Sequence, residues 1–538
     1  MLKIIVVVSA LSDTTAMTLA DAIYAFLLLL SLCLGPLIQR STLTRLLLPA
    51  VFGFLMASFS AGLSVWHSVL TVFGFIFLLL LCPARFFHYV ACFWCFGYLG
   101  FFRSCHYMGL SKPSDFANVV QLLITLRLIG LSFELFDTWK MEQQLLKLNR
   151  PTGQTEQERL TLLREYKGVR ASPLEVLCYA YCYVGLFTGP YYKFRTFFDF
   201  VNWPPNAPAK STDQLVQQLQ EAPLFGVSYL ILSHFYTVDY VRLDDFYQHS
   251  FTYRFFYMVI IFFIFRLRIY FAWKLAECVC MSAGFGAYPT TSEPLSGEGP
   301  TNLVALNKWM LRFNPSQQTA NSVLSTQHRA GENSPPNIDF SSPGQPPQKE
   351  EYSYSTVQNI SVWGCEFTPT VREGMRSWNQ TVQYWLAFNF HKRLPGSRSL
   401  RYVWTMCVSA YWHGLHPGYY LSFLTIPLAL VAESGLAVLV TACGRGLPPG
   451  SLNFFSWLLK MRVFEYCAMG FLLLDAHTTL AYWHSIGYCV HCVLFGIILL
   501  SAVVRRVCPK SITVLTSATL SPTEQLTRLT ERRARMVR

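Results

Sequence analysis

Across 538 residues the chain is 52% hydrophobic and 16% aromatic, with only 14% charged residues, well under the roughly 25% of a soluble domain. That composition excludes a water-soluble globule and makes lipid the solvent. The net charge of +13 is not carried by any zinc-finger, RRM or helix-turn-helix pattern, so nucleic acid is excluded as a partner and membrane headgroups take its place. The 16 cysteines lie mostly inside apolar runs, where cysteine behaves as a small hydrophobe. Cys92 and Cys95 form a CxxC set among Phe93, Trp94 and Phe96, not in a zinc-knuckle or redox setting. No metal site is expected, because His and Cys show no zinc-ligand spacing.

In chain order, residues 1–19 read as an uncleaved lumenal extension, since the run after Lys3 is too short to span. Candidate spans follow at Ala20–Ile38, Leu46–Val65, Val69–Leu81, Phe86–Phe102 and Val119–Phe136. The third is short, so it either tilts little or pairs with its neighbour as a hairpin. Residues 138–173 turn to Lys, Glu, Gln and Arg with spaced leucines, the pattern of two interfacial amphipathic helices around Pro151-Thr152-Gly153. The chain re-enters lipid at Leu174–Phe187 and leaves through Gly189-Pro190 past Tyr191, Tyr192, Lys193, Phe194 and Arg195, a mixture that interfaces favour. Apolar runs recur at Pro223–Tyr236 and Phe255–Met281. Residues 289–349 are rich in Ser, Pro, Asn, Gln and Gly and read as a disordered linker. Spans or re-entrant helices follow at Ser377–Phe390, Tyr402–Trp412, Tyr419–Val440, Phe454–Leu474 and Ile486–Val504. The expected fold is all-α, a polytopic membrane bundle of roughly ten transmembrane helices at the ~20 residues each crossing requires. It occupies residues 20–504, with a basic cytosolic tail at 505–538 that carries Arg505, Arg506, Lys510, Arg528, Arg532, Arg533, Arg535 and Arg538.

Ionisable groups at membrane depth are costly, so each is a functional hypothesis unless it snorkels or pairs. The densest set is Tyr411-Trp412-His413-Gly414-Leu415-His416-Pro417-Gly418-Tyr419-Tyr420, where a histidine ends one apolar helix at a Gly and Pro break. A broken helix inside protein lines a cavity. Histidine titrates near neutrality and can take a proton from an alcohol, which suits His413; a histidine merely hydrogen-bonded in a polar cavity is the alternative. His416, past a glycine, reads as a supporting or interfacial group. Trp378-Asn379 is the second candidate: the Asn379 amide could orient a hydroxyl, donate to an oxyanion, or serve as a packing amide. Asn359-Ile360-Ser361 and Asn379-Gln380-Thr381 also spell glycosylation sequons, which arise often by chance. Tyr482-Trp483-His484 repeats the aromatic-His triplet without the Gly-x-His-Pro-Gly that follows His413, and reads as a decoy. Arg266, Arg268, Lys274 and Glu277 either bind phosphate or pair internally, and pairing is favoured for charges in a span.

Three segments, Tyr411–Pro427 (YWHGLHPGYYLSFLTIP), Gly185–Thr196 (GLFTGPYYKFRT) and Glu277–Pro289 (ECVCMSAGFGAYP), resemble the membrane-bound O-acyltransferases, and among them those that acylate lysophosphatidylinositol. The resemblance runs from about Phe86 to Val504. It implies a helical bundle with a central reaction chamber, His413 as the active-site histidine and Asn379 as the polar active-site residue before it. It implies acyl-CoA, arachidonoyl-CoA above all, as co-substrate with no resident cofactor, and the sn-2 hydroxyl of a lysophospholipid as acceptor. It also implies residence in the endoplasmic reticulum membrane, where Arg532-Arg533-Ala534-Arg535 could act as a retrieval signal. Trp378, Trp412, His416 and Tyr419 are then substrate-binding candidates beside the two catalytic ones. Arg372, Arg376, Lys193 and Arg195, with Lys392 and Arg393, are the candidate cations for CoA phosphates, each alternatively a flanking positive-inside charge. Two alternatives stay open: an acyltransferase for another acceptor (a different lysophospholipid, sterol, diacylglycerol or secreted protein), and a transporter, against which stands the lack of repeated halves.

Overall fold

A computed structural model describes residues 19–39, 41–148, 168–204, 207, 212–313, 351–442, 448 and 450–507. The chain is built from helices, with only two pairs of two-residue strands among the described residues. Six helical stretches there are long and apolar enough to cross a membrane: Ala20–Ile38, Thr42–Leu81, Asp115–Lys147, Phe251–Ser282, Pro417–Ala442 and Cys489–Val507. The 40-residue second stretch is two helices, Thr42–Ala61 and Trp66–Leu81, joined by one 3-10 turn. The short third run of the sequence packs on the Ala84–Ser104 helix that follows it rather than on the one before. The expected extension at 1–18, the Pro151 turn and most of the basic tail lie outside the described residues.

The contacts divide the chain into two units. The first comprises residues 1–235, 265–361 and 379–394. At its centre is the Asp115–Leu148 helix, against which Trp66–Leu81, Ala84–Ser104, Thr42–Ala61 and the short Pro173–Tyr181 helix pack. The first arm expected for 138–173 is simply the continuation of this helix. The anticipated span Leu174–Phe187 is different: helix ends at Tyr181 and residues 182–193 run without regular structure. The physical reason is Arg127. This fully buried side chain donates from Nη1 to the carbonyls of Tyr179 (3.0 Å), Ala180 (3.1 Å) and Cys182 (2.9 Å), and from Nη2 to Val184 (2.6 Å). Carbonyls that a longer helix would satisfy internally are satisfied by a cation instead. Its guanidinium also lies 4.8 Å from the centre of the Tyr192 ring.

The expected structureless linker is corrected at its start, for residues 289–313 are ordered. Tyr288–Pro289 pairs with Tyr352–Ser353, Pro294–Leu295 pairs with Gly299–Pro300, and Leu303–Phe313 is a helix. Composition hid this because few residues do the anchoring: Trp203, Tyr288, Leu306, Trp309 and Tyr352 form a separate buried cluster, and large rings bury enough area to hold a Gly- and Ser-rich loop. Residues 314–350 lie outside the described ones.

The second unit comprises residues 236–264, 362–378 and 395–538. Here the Pro417–Ala442 helix packs against Arg398–His413, Ser451–Leu473 and Cys489–Val507. Among its buried polar groups, Lys460 donates to the carbonyls of Cys365 (2.8 Å), Glu366 (3.3 Å) and Thr368 (2.6 Å), closing off the C-terminal end of the short Val362–Phe367 helix.

Candidate functional site

In the second unit, His413 is the last residue of the Arg398–His413 helix. The helix ends there because Gly414 is extended, its N–H still bonded to Ala410 at 2.9 Å, and Pro417 opens the next helix after a short turn, a position where a missing N–H costs nothing. The ring of His413 is half-buried among aromatics: Phe423 stacks on it at 5.2 Å, Phe471 meets it edge-on at 5.2 Å, and Trp412 and Tyr419 lie at 4.6 and 5.9 Å. Tyr419 explains Gly414, since a Cβ there would come within 2.4 Å of the Tyr419 ring.

The floor of this box is backbone laid on backbone. The Gly418 N–H donates to Leu474 O at 2.7 Å, Ser422 Oγ donates to Cys467 O at 2.7 Å, and a Cβ on Gly418 would meet Gly470 O at 2.2 Å. Leu474 itself sits at φ 69°. The predicted His413, Trp412 and Tyr419 are thus brought together, while His416 is exposed at the rim, its ring 6.0 Å from Tyr419. Phe423 and Phe471 were not singled out by the sequence. His484, in the repeated triplet, is exposed, and its neighbour Trp483 is buried in a stack on Tyr466 at 4.5 Å.

Arg372, Arg376 and Trp378 belong to the same unit but to the Val371–Ser377 helix and its end. Arg376 is exposed, Arg372 half-buried, and the helix start is fixed by Thr370, whose Oγ1 accepts from Glu373 N at 3.1 Å.

In the first unit, Asn379 precedes the Gln380–Leu386 helix in a left-handed conformation, φ 48° and ψ 51°, which asparagine tolerates better than most residues. Its side chain does not cap that helix. The turn is pinned from outside: Gln380 N donates to Asn359 O at 2.8 Å and Thr381 Oγ1 to Asn359 Oδ1 at 2.6 Å. Asn359 is buried, and its N–H and that of Ile360 both donate to Glu277 Oε1, at 2.6 and 3.0 Å. Glu277 in turn lies 3.7 Å from Lys274 Nζ, and Arg268 pairs with Asp21. Of the four charges singled out on that helix, Arg268, Lys274 and Glu277 are thus paired internally. One expected span, Ser377–Phe390, is accordingly broken at Asn379 and relaxes into a π-helical turn at Ala387–His391, a feature common at functional sites.

That π turn reaches a cavity of about 180 Å³ lined by Glu134, Asp137, Thr138, Lys193, Arg195, Glu298 and Phe388, among others. Lys193 Nζ lies 4.9 Å from the ring centres of both Tyr384 and Phe388. Glu134 accepts from the N–H groups of Phe194 (2.9 Å) and Arg195 (3.2 Å) at the start of the Phe194–Val201 helix. Arg393 forms a two-point pair with Asp137 at 2.8 and 2.6 Å. Arg195 pairs with Asp199 at 2.8 Å, and Tyr288 donates to the other Asp199 oxygen at 2.8 Å. Burial raises Asp199 above the usual carboxylate range even against Arg195, and the Asp199 carboxylate overcomes the effect of burial on Arg195 and holds that cation charged. The sequence named Lys193, Arg195 and Arg393 but missed their acidic counterparts. The charges inside the Val119–Phe136 run, Arg127 and Glu134, were the available signal.

The membrane-bound O-acyltransferase family model matches residues 113–466. The chain belongs to that family, and is a multi-pass membrane enzyme that acts as an O-acyltransferase. Among curated relatives it is 39% identical over 475 residues to the membrane-bound acylglycerophosphatidylinositol O-acyltransferase of Homo sapiens, covering 87% of this chain and 90% of that one. It is 37% identical over 468 residues to the protein of that name from Xenopus laevis, covering 86% and 89%. The one from Drosophila melanogaster is 31% identical over 465 residues, covering 85% and 87%.

Proposed function

We propose that this chain transfers the acyl group of acyl-CoA, arachidonoyl-CoA above all, to the sn-2 hydroxyl of lysophosphatidylinositol in the endoplasmic reticulum membrane. The acceptor follows the names of the relatives. The donor, its acyl chain and the compartment rest on the family resemblance carried by the three motif segments. The observation that carries the chemistry is His413, a single titratable ring held at a helix end inside a box of Trp412, Tyr419, Phe423 and Phe471.

In this reading His413 accepts the proton of the glycerol hydroxyl as that oxygen attacks the thioester carbonyl. A C–O bond forms, the C–S bond breaks, and the proton passes from the imidazolium to the departing CoA sulfur. No covalent acyl-enzyme is required. The aromatic walls keep water from competing for the thioester, with Trp412 and Tyr419 as surfaces for substrate. The Asn379 amide, not engaged in capping, serves the reaction either by orienting the hydroxyl or by donating to the oxyanion, and Trp378 and His416 remain candidate substrate contacts. For the phosphates of CoA, Arg376 and Arg372 are the candidates, since the guanidiniums of Arg195 and Arg393 are held by carboxylates.

The test is acyl transfer from radiolabelled arachidonoyl-CoA to a panel of lysophospholipids in microsomes. His413→Ala is expected to lower turnover by about 10² to 10⁴, while His484→Ala leaves it unchanged. Asn379→Asp keeps an acceptor and loses the donor: near-normal turnover would assign hydroxyl orientation, a loss of about 10² or more the oxyanion. A wild type that prefers another headgroup would keep the family and overturn the acceptor.

A further inference from the structure

The cavity beside the π turn has a composition that neither catalysis nor CoA binding explains. Beside the apolar Met141, Pro300, Leu303 and Phe388, its walls carry three carboxylates, Glu134, Asp137 and Glu298, two cations, Lys193 and Arg195, and the Thr138 hydroxyl. Its volume is comparable to the roughly 150 Å³ of a protein cavity that admits benzene, room for one six-membered ring. We propose that this cavity seats the polyol phosphate headgroup of the acceptor lysolipid, the carboxylates accepting ring hydroxyls and Lys193 facing the phosphate. The inference rests on the lysophosphatidylinositol reading and names the part of the molecule that would select that acceptor.

Three observations favour this occupant. Each hydroxyl of a polyol has a proton to donate, and ionised carboxylates are acceptors only, so a wall with Glu134, Asp137 and Glu298 matches such a rim. A trimethylammonium headgroup would seek the aromatic face, but Lys193 Nζ and the Arg393 guanidinium already lie over the Phe388 ring, each at 4.9 Å. Finally the walls are pre-set: Asp137 is fixed by Arg393, Arg195 by Asp199, and Glu134 by two backbone N–H groups. Groups that are held before the ligand arrives lose little freedom when it binds. The cavity belongs to the same unit as Asn379, and Phe388 lies on the run that Asn379 opens.

Steady-state kinetics on the full-length membrane enzyme separate the possibilities, with Lys193→Met and the near-isosteric Glu298→Gln measured against each substrate in turn. The expected result is a KM for lysophosphatidylinositol raised about tenfold or more by loss of one charged hydrogen-bonding partner, with the KM for arachidonoyl-CoA unchanged. Glu298→Gln carries the test alone should Lys193→Met fail to fold. A rise in the acyl-CoA KM alone would give the cavity to the donor and overturn the proposal. So would a fall in kcat with both KM values intact, or no kinetic change. A wild type that transfers nothing to lysophosphatidylinositol fails in the first arm, before any variant is compared, and overturns both readings.

Discussion

Each unit of this protein interrupts its helices beside a candidate site, and the two do so by opposite means. In the first, residues 182–193 leave helical geometry and Arg127 collects four of the exposed carbonyls. In the second, the break after His413 is closed over backbone. Gly418 lies against Gly470, and backbone N–H meets backbone C=O directly. Orphan carbonyls in an apolar interior must be satisfied somehow. A long charged side chain can reach several at once, at the cost of burying a charge. Close approach of two backbones needs no charge, but it leaves no room for a single Cβ.

Removing the cation should have the larger effect. Arg127→Met strands four carbonyls and should cost more than about 3 kcal/mol, read as a fall in thermal midpoint of the detergent-solubilised protein; a shift within error would mean that water can replace the guanidinium. Next comes Gly418→Ala, whose Cβ would sit 2.2 Å from Gly470 O. Overpacking of that kind costs about 1–3 kcal/mol, and because the shift falls beneath Tyr419 and Phe471, turnover should drop more than stability. Equal losses would reduce the contact to packing alone.

The smallest effect is at Asp475, which caps the Ala476–Ser485 helix by accepting from Thr478 N at 2.7 Å and pairs with Arg242 at 3.3 Å. Burial pushes its carboxyl up, but the Thr478 and Arg242 contacts together outweigh that and hold it below the usual range. A carboxylate lowered in the folded state stabilises it above its unfolded value of about 3.9 and loses that contribution as pH falls through the folded value. Asp475→Ala should therefore cost about 1 kcal/mol near neutrality and nothing in strong acid. A pH-independent difference between wild type and variant would show that the carboxylate charge is irrelevant.

The long helices were legible because apolar run length is a direct physical requirement of the bilayer, and the break at Gly414–Pro417 was legible because glycine and proline mark it. What escaped the sequence depended on distant partners. Nothing local to Leu174–Phe187 says that its carbonyls will be taken by Arg127, 52 to 57 residues earlier. Nothing local to Asn379 shows that Asn359 and Glu277 will pin the turn after it. Phe471 joins the His413 box from another helix, and pairwise aromatic contacts leave no trace in a linear pattern. The cavity at Lys193 was half visible: its cations were noted as flanking charge, but Glu134 and Asp137 lie on a helix read only for its apolar length, and Glu298 in a segment read as linker.

The buried amide of Asn359 has one more consequence, for quality control. Its side chain holds Thr381 and its backbone holds Gln380, so in the finished protein the Asn359-Ile360-Ser361 sequon is out of reach of any sugar-transferring enzyme. A glycan found at this position would mark a chain that was modified before this core closed, making the sequon an internal reporter of slow or failed folding.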